Sequence, residues 1–403
     1  MRKILFALLC LLSVMGMTSC HEKKTEIEEK PTVSHTLLIY MVGDNNGMSR
    51  YCNSNIRDCI DGLKRADKAL NLVIYKDVEG KFPELFLLKP DQKDKLKVDT
   101  VYIKQYSEYV NSADKNVLAE VVNTVFDAYP AQIKGFEYWS HGGSWLPDGW
   151  RPESEEEPVA ATRASQYIGI DNYRYMQIWD LREALEKCPH LDYITFDACN
   201  MATAELAYEL AGRCDYILGS AQEIMGNGFP YRDMMVSLSA AGEMGIYESL
   251  CKCVDNMQTM YPDNGSLSLI KSSAMEPLAT AYAALISGHA DLLNALEDDA
   301  KGLIQENWQR FGGGYATNTL YCYYDMEEVA EYLQGSVSTQ LKEAVPYSYC
   351  ADTYYSGFDG VRYPINRFCG LAISVPELFH LSSGKPFLHE GYHMTRWGKK
   401  MGY

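Results

Sequence analysis

The sequence predicts an α/β protein, with a largely parallel central sheet covered by helices on both faces and a mostly helical C-terminal extension. Three observations carry this. Up to about Tyr231, short and nearly continuous apolar runs alternate with stretches of helical period, the pattern of strands buried on both faces. Past Tyr231 the helical period dominates. A composition of 47% apolar and 23% charged residues over 403 positions supplies a core and excludes bulk disorder.

The elements follow in order. His35 to Val42 is an apolar run closed by Gly43-Asp44-Asn45-Asn46-Gly47, a loop signal. Ser54 to Ala69 is helical, with Ile56, Ile60 and Leu63 on one face. Leu70 to Tyr75 is a second strand, and Leu85 to Leu88 with Thr100 to Ile103 form a hairpin. Asp114 to Tyr129 places Val117, Leu118, Val121, Val122 and Val125 at helical spacing. Gly135 to Ser140 is a strand, Asp180 to Glu186 a helix and Leu191 to Phe196 a strand. Ala202 to Leu210 is a helix and Asp215 to Ser220 a strand. Arg232 to Ala241, Gly245 to Met260, Met275 to Leu296 and Met326 to Tyr332 are helical, while Ser266 to Ile270 and Cys369 to Val375 are strand-like returns.

The amino terminus is an address. Arg2 and Lys3 precede an apolar run from Ile4 to about Met17, shorter than the ~18–20 residues of a spanning helix and shaped like a secretory leader. Thr18-Ser19-Cys20 resembles a bacterial lipobox, which implies cleavage before Cys20 and a lipid on that residue; plain signal-peptidase cleavage is the alternative. The expected organisation is a leader over 1–19, a polar tether over 20–35, an α/β core over 36–245 and an extension over 246–403. The formal charge of −17 becomes −19 once Arg2 and Lys3 leave with the leader. So acidic a chain lacks the basic face that nucleic acid needs. Of its twelve cysteines, Cys10 goes with the leader and Cys20 with the lipid. None of the rest forms a Cys-x-x-Cys pair, so zinc and thioredoxin chemistry are not indicated.

Two strands end on reactive residues: Phe136-Glu137-Tyr138-Trp139-Ser140-His141-Gly142-Gly143, and Leu191-Asp192-Tyr193-Ile194-Thr195-Phe196-Asp197-Ala198-Cys199. Sites in open α/β sheets form at the carboxyl ends of strands. A thiol becomes a nucleophile when an imidazole takes its proton, glycines after the His let backbone N–H groups approach an oxyanion, and a helix starting after Cys199 would favour the thiolate through its dipole. The competing structural reading is a small packed cysteine and an incidental Ser-His-Gly-Gly.

Tyr138-Trp139-Ser140-His141-Gly142-Gly143 and Phe196-Asp197-Ala198-Cys199-Asn200-Met201 resemble the two catalytic motifs of the clostripain family of cysteine peptidases. Leu38-Ile39-Tyr40-Met41 with Asp44-Asn45-Asn46, Glu205 to Leu210, Gly219-Ser220-Ala221-Gln222-Glu223, Gly228-Phe229-Pro230-Tyr231 and the tail from Tyr392 to Tyr403 agree with it. The resemblance spans 36–403. It implies a caspase-like αβα sandwich and a Cys–His dyad, with Cys199 as nucleophile and His141 as base and acid. It also implies an oxyanion hole from the N–H groups of Gly142 and Cys199, and protein or peptide substrates cut after Arg or Lys.

For that preference the family supplies acidic residues in the S1 pocket. Asp197 matches one position, its alternative role being to cap or orient the following loop. Asn227, in Gly226-Asn227-Gly228, stands where a second acid would be expected and keeps hydrogen bonds without the charge. The family also cleaves itself in a linker. Here Trp145 to Gln166 would serve, with Arg163 as processing site and Arg151 as rival. No cofactor is expected, and no stretch has EF-hand ligand spacing. Some family members need calcium, for which the acidic loops at Asp44 and Asp91–Asp94 are the candidates. The alternative function is a non-catalytic caspase-like binding protein or scaffold of the envelope.

Overall fold

The computed structural model describes residues 33–403 other than 46, 92–93, 95, 147–167, 173, 312–322, 358–359 and 382–384. The leader, Cys10, Cys20 and Cys322 lie outside the described residues, and so does the tether up to Thr32. β1 (His35–Gly43) is buried along its whole length. It starts at the last residue assigned to the tether because the His35 ring is claimed by the fold: Nδ1 lies 2.8 Å from Leu238 O and Nε2 2.9 Å from the Tyr193 hydroxyl.

α1 (Ser49–Arg65) begins five residues before the position read from the sequence, since Ser49 Oγ anchors its start to Gly43 O at 3.1 Å. Its buried stripe is Cys52, Asn55, Cys59, Gly62 and Leu63, with Ile56 and Ile60 only half-buried at the margin. β2 (Asn71–Val78), β3 (Glu84–Pro90) and β4 (Val98–Gln105) come next, β3 and β4 forming the expected antiparallel hairpin. α2 (Lys115–Ala128) is capped by the Asp114 carboxylate, which accepts from the N–H groups of Asn116 and Val117. β5 (Ile133–Trp139), α3 (Ile178–Leu185), β6 (Leu191–Asp197), α4 (Ala204–Glu209) and β7 (Cys214–Gly219) complete the alternation. α5 (Tyr231–Ser239), α6 (Ile246–Met260), β8 (Ser266–Lys271), α7 (Met275–Gly288), α8 (Ala290–Asp298) and β9 (Tyr347–Cys350) follow. The single helix expected over 275–296 breaks at His289, whose φ of −135° and ψ of 40° are not helical.

The nine strands form one sheet in the order β9-β8-β7-β6-β5-β1-β2-β3-β4. β7, β6, β5, β1 and β2 are mutually parallel; the pairs β8–β9 and β3–β4 flank them antiparallel. Alternate residues of each central strand enter opposite cores. Leu38, Tyr40, Val42, Phe136, Tyr138, Ile194 and Phe196 pack under α2, α3, α4 and α7, while Leu37, Ile39, Met41, Trp139 and Tyr193 pack under α1, α5 and α6. This is the αβα sandwich, with β8 and β9 contributed by residues after 246. Cys369 to Val375 gives only a short strand at Ala372–Ile373, paired with Tyr323–Asp325 in a separate small sheet. Among the described residues the nine cysteines are all free thiols, and no helix is long and apolar enough to cross a membrane.

Candidate active site

β5 and β6 are parallel neighbours in which Trp139 stands opposite Asp197, and the Ser140 N–H donates to Asp197 O at 3.4 Å. Side chains two apart on a strand share a face. Glu137 and Trp139 on β5, and Tyr193, Thr195 and Asp197 on β6, point to the side covered by α1, α5 and α6. His141 and Cys199 are the next positions in each series, just past the ends of these two paired strands.

The turn after β6 fixes the cysteine. Asn200 adopts a left-handed φ of 59°, its N–H donating to Gln222 O at 3.0 Å, and the Ala202 N–H donates to Ser220 O at 2.8 Å. The chain thereby folds back over the end of β7, and the Ile224 N–H donates to Cys199 Sγ at 3.4 Å. The helix expected from Ala202 starts at Ala204. Thr203 caps it, accepting from the Leu206 N–H at 3.2 Å, while the Ala372 N–H donates to Ala202 O at 2.9 Å and draws this segment toward the small sheet. The expected help of a helix dipole to the thiolate is therefore not provided.

Gly142 lies against the same turn. A Cβ there would stand 2.6 Å from Cys199 O, 2.8 Å from Ala198 Cβ and 2.3 Å from Met201 Cε, so only glycine permits this approach of the two strand ends. Among the described residues neither the Gly142 N–H nor the Cys199 N–H has a hydrogen-bond acceptor outside its own residue. His141 and Cys199 are both half-buried. Burial pushes the imidazole down to about 4 and leaves Nε2 sealed without a partner. Burial, then the charge of Glu223, pushes the thiol up to about 12. At neutral pH both groups are neutral at rest, a thiol and an imidazole.

Asp197 is 5% exposed. Its Oδ2 accepts from the Tyr231 hydroxyl at 2.6 Å and the Phe229 N–H at 3.2 Å. Oδ1 takes no hydrogen bond among the described residues, yet it is not sealed as His141 Nε2 is. Burial raises this carboxyl to about 6. The loop carrying Asn227 wraps this acid: at Gly228, with φ of 70°, a Cβ would meet Asp197 Oδ2 at 2.2 Å. The Asn227 side chain is exposed, and its carbonyl accepts from Asn55 Nδ2 at 2.7 Å. Asn55 Oδ1 in turn accepts from Trp139 Nε1 at 3.0 Å, so one buried amide of α1 ties the loop to β5.

The structure thus packs Gly142, which follows His141, against Cys199, and the Asn227 loop against Asp197. Arg151, Arg163 and Cys20 lie outside the described residues. Sequence reasoning did not single out Glu223, which is buried beside the thiol and accepts from Ser356 Oγ at 2.6 Å and the Gly357 N–H at 2.7 Å. Nor did it single out Glu137; the signal there was an acid inside an otherwise apolar strand. Among the described residues no three His, Cys, Asp or Glu side chains are grouped to hold a metal ion.

Comparison with known proteins agrees with this geometry. The model of Peptidase_C11, the clostripain family, matches residues 39–375. An inactive zymogen C11 protease from Parabacteroides distasonis is 29% identical, with 92% of this chain and 99% of that one covered at a TM-score of 0.71. A secreted C11 cysteine protease from Bacteroides thetaiotaomicron, solved with an irreversible peptide inhibitor, is 26% identical, with 91% and 98% covered at 0.71. A further secreted C11 protease of that organism, "iotapain", shares the fold at 20% identity and a TM-score of 0.70. Comparison with curated proteins gives no match. With the family model covering most of its length and solved C11 proteases matching both sequence and fold, the chain belongs to the clostripain family and is a cysteine endopeptidase.

Proposed function

We propose that Cys199 and His141 are its catalytic dyad and that it cuts peptide bonds after Arg or Lys. The observation that supports the reading is the pairing of β5 with β6, whose ends lead into His141 and Cys199, with Gly142 packed against the Cys199 carbonyl and two N–H groups unengaged. His141 takes the proton of Cys199 Sγ as the sulfur attacks the scissile carbonyl carbon. The carbonyl oxygen, now an oxyanion, is met by the N–H groups of Gly142 and Cys199. The imidazolium returns its proton to the leaving amine as the C–N bond breaks, leaving a thioester on Cys199. Water deprotonated by His141 attacks the thioester, releasing the acid and restoring the thiol. No metal or other cofactor enters these steps.

Asp197 is the S1 acid in this reading. Its unengaged Oδ1 faces a guanidinium or ammonium, while Oδ2 is fixed by Tyr231 and Phe229. Asn227 lies on the rim of the same pocket as a neutral contact. The chain is exported by its leader and held to the envelope by a lipid on Cys20. It is processed by its own activity between residues 145 and 166, at Arg163 before Arg151. A secreted relative and one solved as an inactive zymogen support export and processing. Profiling a peptide library with wild-type and Asp197→Ala protein tests the specificity. Wild type should favour basic P1, and the variant should lose about two orders of magnitude of that preference, as expected for one desolvated charge pair. An unchanged P1 profile rejects the assignment.

A further inference from the structure

The acid behind the pocket is not alone. The Tyr231 hydroxyl lies 2.6 Å from Asp197 Oδ2 and 2.5 Å from Glu137 Oε1, and Thr195 Oγ1 donates to Glu137 Oε2 at 3.0 Å. Glu137, Tyr231 and Asp197 are all buried. A phenol has one hydrogen and can donate to one carboxylate only. The second short contact needs another proton, carried by a carboxyl group. Among the described residues no Lys, Arg or His forms an ion pair with either acid, and two buried carboxylates without a cation are costly.

We propose that Glu137 is a positioning residue for substrate selection: acting through the Tyr231 hydroxyl, it holds a proton behind Asp197 and keeps that carboxylate anionic toward a cationic P1 side chain. This rests on the reading of Asp197 as the S1 acid. The chain of donors runs one way. The Glu137 carboxyl donates to Tyr231 Oη, the Tyr231 hydroxyl donates to Asp197 Oδ2, and the Phe229 N–H completes that oxygen. Asp197 Oδ2 also accepts the Phe229 N–H and its Oδ1 is not sealed, whereas Glu137 is fully buried, where burial first and then the charge of Asp197 raise its carboxyl; the shared proton therefore resides on Glu137. The other titratable groups facing the pair are Cys59 from α1, Cys253 from α6, Tyr261 beyond it, Tyr193 from β6, and Cys199 just past its end. All are thiols or phenols that burial pushes upward, so they stay neutral while the two acids titrate. Asp58 lies farther out on α1, where Arg232 pairs with it at 2.7 Å.

The test is the pH dependence of selectivity, the ratio of kcat/KM for an Arg-P1 peptide to that for its neutral-P1 analogue. Titration of Cys199 and His141 affects both substrates and cancels. In wild type the ratio should fall as pH drops through about 6, where Asp197 takes up a proton. Glu137→Gln should leave this midpoint in place, because the amide is neutral like the acid it replaces. Tyr231→Phe should raise it by about one pH unit, the size of one lost hydrogen bond to a carboxylate. A midpoint lowered by Glu137→Gln, or unmoved by Tyr231→Phe, overturns the proposal. Asp197→Asn separates the two layers. If it leaves Arg selectivity intact, the S1 reading falls and the proposal with it; if it abolishes selectivity while Tyr231→Phe moves nothing, the proton relay alone falls. Should Tyr231→Phe fail to fold, infrared difference spectra of wild type and Glu137→Gln at neutral pH decide. A protonated-carboxyl carbonyl band lost in the variant supports the proposal, and identical spectra overturn it.

Discussion

Replacing Cys199 by Ala is expected to lower peptide hydrolysis by about 10⁴-fold or more, since no other group can form the acyl-enzyme. His141→Ala should cost a similar amount, because a thiol that burial raises to about 12 is not ionised without a base. The double variant should be little worse than either single one, as for groups that act as a unit. Progress curves on a basic-P1 peptide measure all three. The Cys199→Ala protein should also remain one chain where the active protein yields two fragments. A wild-type protein that stays intact while fully active would remove self-processing but not the dyad.

The second large effect is expected at Gly142. A Cβ at 2.6 Å from Cys199 O and 2.8 Å from Ala198 Cβ meets backbone and a short side chain, neither of which can swing aside. Gly142→Ala should therefore displace the turn that carries Cys199 and misdirect the N–H awaiting the oxyanion. Loss of one such donor costs about 10²–10³ in kcat, and overpacking costs about 1–3 kcal/mol of stability. Steady-state kinetics with a thermal melt tells the two apart. A fall in kcat much larger than the loss of folded protein places the damage in the oxyanion site, whereas full activity would mean that the Gly142 N–H is not used.

Much of this was legible in the sequence, for local reasons. β1 is apolar along nearly its whole length and β5 and β6 are mostly apolar between turn signals, so their existence could be read directly. His141 and Cys199 stand just past the ends of such runs, and the glycines after His141 marked a close approach. The features that were not legible depend on partners far along the chain. Glu137 and Asp197 are joined by Tyr231, which arrives from α5, and Glu223 holds Ser356 and Gly357, more than 130 positions away. No periodicity marks a side chain whose partner comes from so far. α1 was misjudged for a related reason. Its buried stripe contains Asn55, a polar residue satisfied by Trp139 and Asn227, and a search for apolar spacing passes over it. α4 starts two residues late because Ala202 is held between Ser220 and Ala372 and Thr203 caps the helix, partners that no local pattern marks.

The identity of the nucleophile is the central point of the mechanism. An irreversible peptidyl chloromethyl ketone with a basic P1 residue, followed by digestion and mass spectrometry, reads it in one step. The account predicts a single adduct on the peptide containing Cys199, absent from Cys199→Ala and slowed in His141→Ala. An adduct on any other cysteine, or an active protein that takes no label, would contradict it.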